Sequence, residues 1–254
     1  MTDNDIGLKV LRAPPADLEP TQIIECVHAR ELVSFILRCL SIVAIHGIGA
    51  HPDDSWCKNV GSKENPCWVN WLNDETMLPA VAPHTRIMRY GYRSQWFGER
   101  AIQQKVSTIA QRLLLALKRV RVEYPIRPLV FIAHCFGGLV VLKALLDARQ
   151  DENEWPGIFM STTGLIFLGT PFRGAEGMSH MEMFEAAQRE YHQDEIQPDI
   201  LRILQPGNEF LQEVVDQFGK SRQASKAQVA CFFELMPSNV GKIVGSQDRT
   251  VCLN

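Results

Sequence analysis

The chain has 254 residues, of which 46% are hydrophobic and 22% are charged. This size and composition predict one globular domain with a single large core. Its 26 Lys and Arg residues against 29 Asp and Glu residues leave a formal net charge of −3. There is therefore no basic excess to bind a phosphate backbone or an anionic membrane, and we predict no nucleic-acid partner.

No targeting or membrane-spanning segment stands out in the sequence. The N-terminus, residues 1–5, is polar and acidic, whereas a secretory signal starts basic and continues apolar. The longest apolar run, residues 32–49, contains Arg38 and His46 and is too short and too charged to span a bilayer comfortably. We predict a cytoplasmic protein with no stable membrane span.

The seven cysteines are scattered, and no two have the C-x-x-C spacing of a metal-binding or redox pair. They are also too sparse for a disulfide scaffold, so we expect reduced thiols. The sequence contains no P-loop motif, which excludes ATP hydrolysis by this chain. We predict neither a metal nor a cofactor.

Short apolar runs alternate with helical patterns along the chain. The predicted strands are residues 41–46, 85–90, 129–133, 165–168 and 227–235, and the predicted helices are residues 101–120 and 139–149. Because the strands are apolar on both faces and alternate with helices, the fold class is α/β, with a mostly parallel central sheet flanked by helices.

Residues 173–226 differ in texture, with ten acidic residues, six basic residues and no strand-like run. We predict that this range is a helical cap inserted into one domain that spans residues 1–254. Its clearest helix has one apolar stripe, and we expect Gly219 to end that helix as a C-terminal cap. The stripe consists of Phe210, Leu211, Val214, Val215 and Phe218.

The segment 129–141 combines an apolar strand with an abrupt turn into a helix. Ala133 and Gly137 flank Cys135 at the spacing of a nucleophile elbow, in which small neighbours let the strand and the helix approach closely. A thiol at a helix N-terminus is expected to have a lowered pKa, so Cys135 is a candidate nucleophile. The alternative is a structural cysteine that only fills space at the turn.

The loop His46-Gly47-Ile48-Gly49 follows the first predicted strand. In the elbow architecture, the N–H after the nucleophile and an N–H from an earlier loop bind the oxyanion. Phe136 and Ile48 are the predicted donors. The glycines assigned to the loop and the elbow are Gly47, Gly49, Gly137 and Gly138.

Asp248 lies in a polar segment after the last predicted strand and is the candidate catalytic acid. Serine-type hydrolases of this architecture place the nucleophile, the acid and then the histidine along the chain. All seven histidines precede Asp248, so none fits that order. His46 and His51 flank the oxyanion loop and could approach the site; the alternative for each is a structural or surface role.

Taken together, these motifs resemble the α/β-hydrolase-like serine esterase or lipase domain at the N-terminus of many fungal NACHT or NB-ARC receptor proteins. Animal serine active site-containing proteins are similar at a greater distance. The resemblance covers about four fifths of the chain and is carried by residues 42–56, 88–99, 131–145, 164–178 and 234–250. It implies an ester or lipid substrate and, through a receptor-type architecture, protein partners.

The chain departs from that family pattern in three places. Cys135 stands where relatives often have serine, residues 21–40 read as an insertion, and the family's histidine segment after the acid is missing. Two functions from different classes therefore stay open. One is a weak or inactive esterase with Cys135 as nucleophile, and the other is a non-catalytic signalling or interaction module on the hydrolase fold.

Overall fold

The computed structural model describes residues 1–14, 40–95, 104–174 and 202–233, and the backbone of residues 238–239 and 250–251. The predicted insertion at 21–40 lies outside the described residues except for Leu40. Residues 175–201 of the predicted cap also lie outside them.

A six-stranded sheet forms the centre of the fold, in the order β1-β5-β2-β6-β7-β8. Strand β1 is antiparallel to β5, and all other neighbours are parallel. The predicted α/β class, with a mostly parallel sheet flanked by helices, is confirmed. The strands of this sheet are β1 (Gly7–Arg12), β2 (Ser41–Ile45), β5 (Arg86–Gly91), β6 (Leu129–His134), β7 (Thr162–Leu168) and β8 (Gln228–Phe232).

Two small hairpin-like pairs lie outside the central sheet. They are β3 (Cys57–Asn59) with β4 (Trp68–Asn70), and β9 (Ser238–Asn239) with β10 (Thr250–Val251), both antiparallel. The α-helices that lie wholly within the described residues are α1 (Leu78–Val81), α2 (Val106–Val120), α3 (Phe136–Gln150), α4 (Ile158–Ser161) and α5 (Glu209–Ser225).

The core is divided between the two faces of the sheet, as the two-residue period of a strand requires. In β2, Val43 and Ile45 face the larger cluster, which includes the buried sides of α2, α3 and α5. Ile42 and Ala44 face the other cluster, where Trp56 and Leu72 cover the sheet. All five residues of β2 are buried because both of its faces are covered.

Helix α2 begins later than predicted, because Lys105 is its extended N-cap residue and the first helical residue is Val106. The predicted helix is otherwise confirmed, and its apolar side faces the core, since Ile109, Leu113 and Leu117 are fully buried. Helix α3 is longer than predicted at its amino end and starts directly after Cys135.

The prediction that Gly219 ends a helix is wrong. Helix α5 starts at the N-cap residue Asn208, whose side chain accepts a hydrogen bond from the Leu211 N–H, and continues through Gly219. It ends at Lys226, which has the left-handed conformation at φ 55°. The buried stripe of α5 joins the main core and packs on α3, so this helix connects β7 to β8 along the flank of the sheet.

Strand β1 was not predicted, and a buried ion pair explains how it is held at the sheet edge. Arg89 of β5 is 1% exposed and makes two charge-assisted bonds to Asp53, from Nε at 3.0 Å and Nη2 at 3.1 Å. Its Nη1 donates to the backbone oxygens of Asp5 at 2.6 Å and Gly7 at 3.4 Å. Arg89 therefore joins the N-terminal segment to the loop after β2.

Asp53→Asn should destabilise the fold, because it leaves the buried guanidinium of Arg89 without its negative charge. We expect a loss of about 2 kcal/mol in the free energy of unfolding, measured by urea denaturation at pH 7.5. Asp54→Asn is the matched control: its side chain is 81% exposed and should change stability by less than about 0.5 kcal/mol. Equal effects of the two variants would contradict the anchoring role of Arg89.

Candidate functional site

Cys135 occupies a strained turn between β6 and α3. Its backbone has φ 50° and ψ −124°, a conformation with positive φ that residues other than glycine rarely adopt. The Cys135 N–H donates to the Leu168 oxygen at 2.9 Å, which ties the turn to the end of β7. The thiol is therefore carried on a sharp strand-to-helix turn, as the sequence predicted, and Cys135 as a residue is 7% exposed.

Glycines allow three segments to converge on this turn. A Cβ on Gly137 would lie 2.5 Å from the His46 oxygen and 2.7 Å from the Ile45 oxygen, so α3 starts in contact with the end of β2. A Cβ on Gly47 would lie 2.8 Å from the Cys135 Cβ and 3.0 Å from the His134 Nδ1. The predicted oxyanion loop and the predicted elbow are therefore in direct contact.

Gly138 makes a similar contact on the β7 side of the turn. A Cβ there would lie 2.2 Å from Oγ1 of Thr170, which follows the end of β7. Thr170 is 7% exposed, and its Oγ1 is buried with no hydrogen-bond partner among the described residues. Within the part of the chain that the structure describes, this hydroxyl is thus unbonded where it lies against the first turn of α3.

His46 fixes the oxyanion loop from inside the core. It is fully buried, and its ring stacks on Tyr92 with centroids 4.3 Å apart. The Tyr92 N–H donates to Nε2 at 3.2 Å, so Nδ1 carries the proton and donates to the Gly47 oxygen at 3.0 Å. The Tyr92 hydroxyl donates to the His46 oxygen at 2.9 Å. Both ring nitrogens are therefore engaged, and His46 is a structural residue in this arrangement.

Burial also keeps His46 neutral. Desolvation lowers its pKa to about 4, although the hydrogen bond to Gly47 acts in the opposite direction. The same burial raises the pKa of Tyr92 well above its usual value, so its hydroxyl stays protonated and remains a donor.

The two predicted oxyanion donors lie on the segments that meet at the elbow. Phe136 is the first residue of α3 and is fully buried, with its ring tilted on Tyr92. Ile48 is half-buried and packs on the main core. Gly49 has φ 71°, and its N–H donates to the Ser94 oxygen at 2.7 Å, so this N–H is used to hold the loop.

His51 follows the loop in sequence and lies beside the N-terminal segment of the chain. Its Nε2 is 3.4 Å from Asp5 Oδ2, and its Nδ1 is 3.6 Å from Asp54 Oδ2 and accepts from the Asp53 N–H at 3.3 Å. The described contacts of His51 thus join it to the segment that Arg89 anchors.

The predicted acid, Asp248, lies outside the described residues and stays a prediction. Strand β8, which is parallel to β6 and β7, ends at Phe232, and Glu234 is the first carboxylate after it in the sequence. Glu234 falls inside the predicted strand at 227–235, and it becomes a candidate only because the observed strand ends two residues earlier.

Tyr92 and Thr170 were also missed as site residues. Each lies just beyond the carboxyl end of a parallel strand, which is where sites form in open α/β sheets. Among the described residues, no group of three or more His, Cys, Asp or Glu side chains could hold a metal ion. In the same part of the chain, every helix is too short or too polar to cross a membrane.

Gly137→Ala should be strongly destabilising, because its new Cβ would meet two backbone oxygens that cannot move independently of β2. We expect a loss of about 2 to 3 kcal/mol in the free energy of unfolding, measured by chemical denaturation. The matched control is Gly219→Ala in α5, where a Cβ meets nothing within 4 Å and alanine should stabilise the helix by up to about 1 kcal/mol. A neutral Gly137→Ala variant would contradict the close approach.

The low pKa of His46 predicts an acid-sensitive fold. Above pH 6.5 the residue is neutral in both states; between pH 6.5 and about 4 only the unfolded chain binds its proton. This group alone should therefore contribute about 3 kcal/mol of stability at neutral pH that is lost as the pH falls through that window. Urea denaturation from pH 7.5 to 4 should give a shallower pH dependence for His46→Gln than for the unmodified chain. Parallel curves would contradict the prediction.

The sequence matches no family model. It is similar to vertebrate SERAC1 proteins: 30% identity over 128 residues with that of Danio rerio, covering 48% of this chain and 18% of that protein. With the Bos taurus protein it has 28% identity over 188 residues, covering 72% of this chain and 26% of that protein. The chain thus spans about a fifth to a quarter of the length of these relatives. The expected distant similarity to the animal proteins is confirmed.

Several solved lipases and esterases are similar in structure at low sequence identity. Phospholipase PlaB from Legionella pneumophila has a TM-score of 0.49 and 15% identity, covering 76% of this chain and 38% of that chain. Lipase BlEst2 from Bacillus licheniformis has a TM-score of 0.47 and 15% identity, covering 80% and 69%. An acetylxylan esterase has a TM-score of 0.35 and 14% identity, covering 56% and 67%.

Proposed function

We propose that the protein carries an acyl-transfer site of the α/β-hydrolase type. The Cys135 thiol is the nucleophile of this site, and an ester or lipid-like acyl donor is its substrate. The observation that carries this proposal is the positive φ of Cys135 at the junction of β6 and α3. A non-glycine residue in that conformation costs free energy, and such strain is concentrated at functional turns.

The contacts around the turn support the roles of the neighbouring residues. Helix α3 presents its first N–H groups beside Cys135, where they favour negative charge. In the proposed reaction, Sγ attacks the acyl carbon, and the N–H groups of Phe136 and Ile48 bind the oxyanion that forms. The Tyr92 and His46 pair holds the loop that carries Ile48 through three hydrogen bonds.

Hydrolysis of the acylated cysteine is the slow step of the proposed reaction. An acylated cysteine needs an activated water, but both nitrogens of His46 are occupied. We propose that the carboxylate of such a site is Asp248 or Glu234, both of which follow β8 in the sequence. Because His46 cannot serve as the base, we expect little steady hydrolysis from either carboxylate.

A non-catalytic interaction module is the second candidate, and an exposed apolar edge favours it. Strand β8 is an edge strand without a charged residue, and Phe232 and Phe233 at its end are 59% and 69% exposed. Uncharged edge strands are prone to pair with other chains. The resemblance to NACHT-associated domains supports protein partners of a cytoplasmic receptor in this case.

Acylation of Cys135 tests the proposed function. The chain at pH 7 should react with p-nitrophenyl acetate in a burst of about one nitrophenolate per chain, followed by very slow turnover. Peptide mass spectrometry should locate the acetyl group on Cys135, and Cys135→Ala should abolish the burst.

Cys67→Ala is the matched control for this burst, since Cys67 is an exposed thiol that should react only nonspecifically. Glu234→Gln and Asp248→Asn, compared separately, should show which carboxylate affects the residual turnover. An absent burst, or one that survives Cys135→Ala, would reject Cys135 as nucleophile and leave the interaction module as the better account. Rapid steady turnover would contradict the weak deacylation.

A further inference from the structure

We propose that the Cys135 site takes acyl thioesters rather than unactivated oxygen esters, and that it exchanges acyl groups between thiols. This inference rests on the acyl-transfer function proposed above. It adds the class of donor and acceptor, which follow from the chemistry of the nucleophile and from the described histidines.

The choice of donor depends on which bond of the tetrahedral intermediate breaks. With an alkyl ester, the intermediate carries two possible leaving groups, the Cys135 sulfur and an alkoxide, and an alcohol is a far weaker acid than a thiol. The thiolate is by far the better leaving group, so the intermediate reverts unless an acid protonates the alkoxide. With a thioester, the two leaving groups are matched, and no acid is needed.

Three of the described histidines are held away from that acid role. His46 uses one ring nitrogen as acceptor and the other as donor inside the core. His51 lies between Asp5 and Asp54. His84 precedes the amino end of β5. Cys135 follows the carboxyl end of β6, and because the two strands run in the same direction, the two residues lie at opposite ends of the sheet. His134, the fourth, has Nδ1 against Gly47 and enters the experiment as a variant.

Thr170 supplies an independent indication of a ligand at this turn. Its buried Oγ1 lacks a hydrogen-bond partner among the described residues and lies against Gly138, in the first turn of α3. Buried hydroxyls are normally bonded, so this donor is available to an atom that the site receives. Its hydroxyl is uncharged and suits the sulfur or the oxyanion of a thioester adduct, neither of which requires a proton from it.

The exchange balances without a further reactant. The Cys135 thiol releases its proton to solvent, and Sγ forms a bond to the acyl carbon while the carbonyl π electrons move to oxygen. The C–S bond to the donor then breaks, and the departing thiolate takes up a proton from solvent. A second thiol reverses these steps on acyl-Cys135, so the acyl group moves between thiols with no net oxidation or reduction.

A pair of acetyl donors that differ in one atom tests this inference on the full chain. The donors are S-acetyl-N-acetylcysteamine and its oxygen analogue, 2-acetamidoethyl acetate, each followed by intact and peptide mass spectrometry at pH 7. We expect Cys135 to be acetylated at least about tenfold faster by the thioester. Added glutathione should then remove the acetyl group and regenerate the thiol at a rate above that of an acetylated exposed cysteine.

Variants separate the roles. Cys135→Ser should lose exchange, because a serine ester does not return its acyl group readily to a thiol. Thr170→Val removes the unpartnered hydroxyl but keeps the side-chain shape, so it should slow acetylation severalfold while leaving the unfolding free energy unchanged or higher. His134→Gln should leave the preference between the two donors unchanged.

The outcomes distinguish this inference from the function on which it rests. Equal acetylation by both donors would overturn the thioester assignment and keep Cys135 as nucleophile. So would a selective loss of oxygen-ester acetylation in His134→Gln, because it would identify His134 as an acid for the alkoxide. Acetylation by the oxygen ester alone would overturn it as well. If neither of these donors nor p-nitrophenyl acetate modifies Cys135, the acyl-transfer function itself fails.

Discussion

The site depends on the close approach of α3 to the carboxyl end of β2. Gly137 lies against the backbone oxygens of Ile45 and His46, with no room for a Cβ. That approach forces the chain to turn sharply at Cys135, which accepts a positive φ as a consequence. It also brings the loop after β2 against the same turn, where Gly47 contacts the side of Cys135. One packing constraint therefore creates the strain, the helix N-terminus and the loop contact together.

The loop is then rigid for a reason that is separate from the elbow. His46 is neutral, stacked and bonded at both nitrogens, and Tyr92 reaches the loop from the neighbouring strand β5. An oxyanion site stabilises the developing charge best when its donors are already in place and do not rearrange during the reaction. The buried His46 therefore holds the loop, and the proposed chemistry at the turn depends on the Cys135 thiol and on uncharged donors.

Sequence alone was sufficient for the parallel strands and the elbow, because both depend on local patterns: uninterrupted apolar runs and small residues at fixed spacing. It failed where tertiary packing decides. Gly219 is tolerated inside α5 because packing of Leu211, Val214 and Phe218 outweighs its helix penalty. Strand β1 has a mixed polar pattern and is held by Arg89, a long-range contact that no local signal shows. Tyr92 and Thr170 likewise join the site only through the strand order.

The most direct measurement is a crystal structure of the acetylated protein. The proposed function predicts that the thioester carbonyl oxygen on Cys135 lies within about 3.1 Å of the N–H groups of both Phe136 and Ile48, with Gly47 unmoved against the turn. A carbonyl oxygen that points away from both donors, or an acetyl group on another cysteine with Cys135 unmodified, would contradict the account.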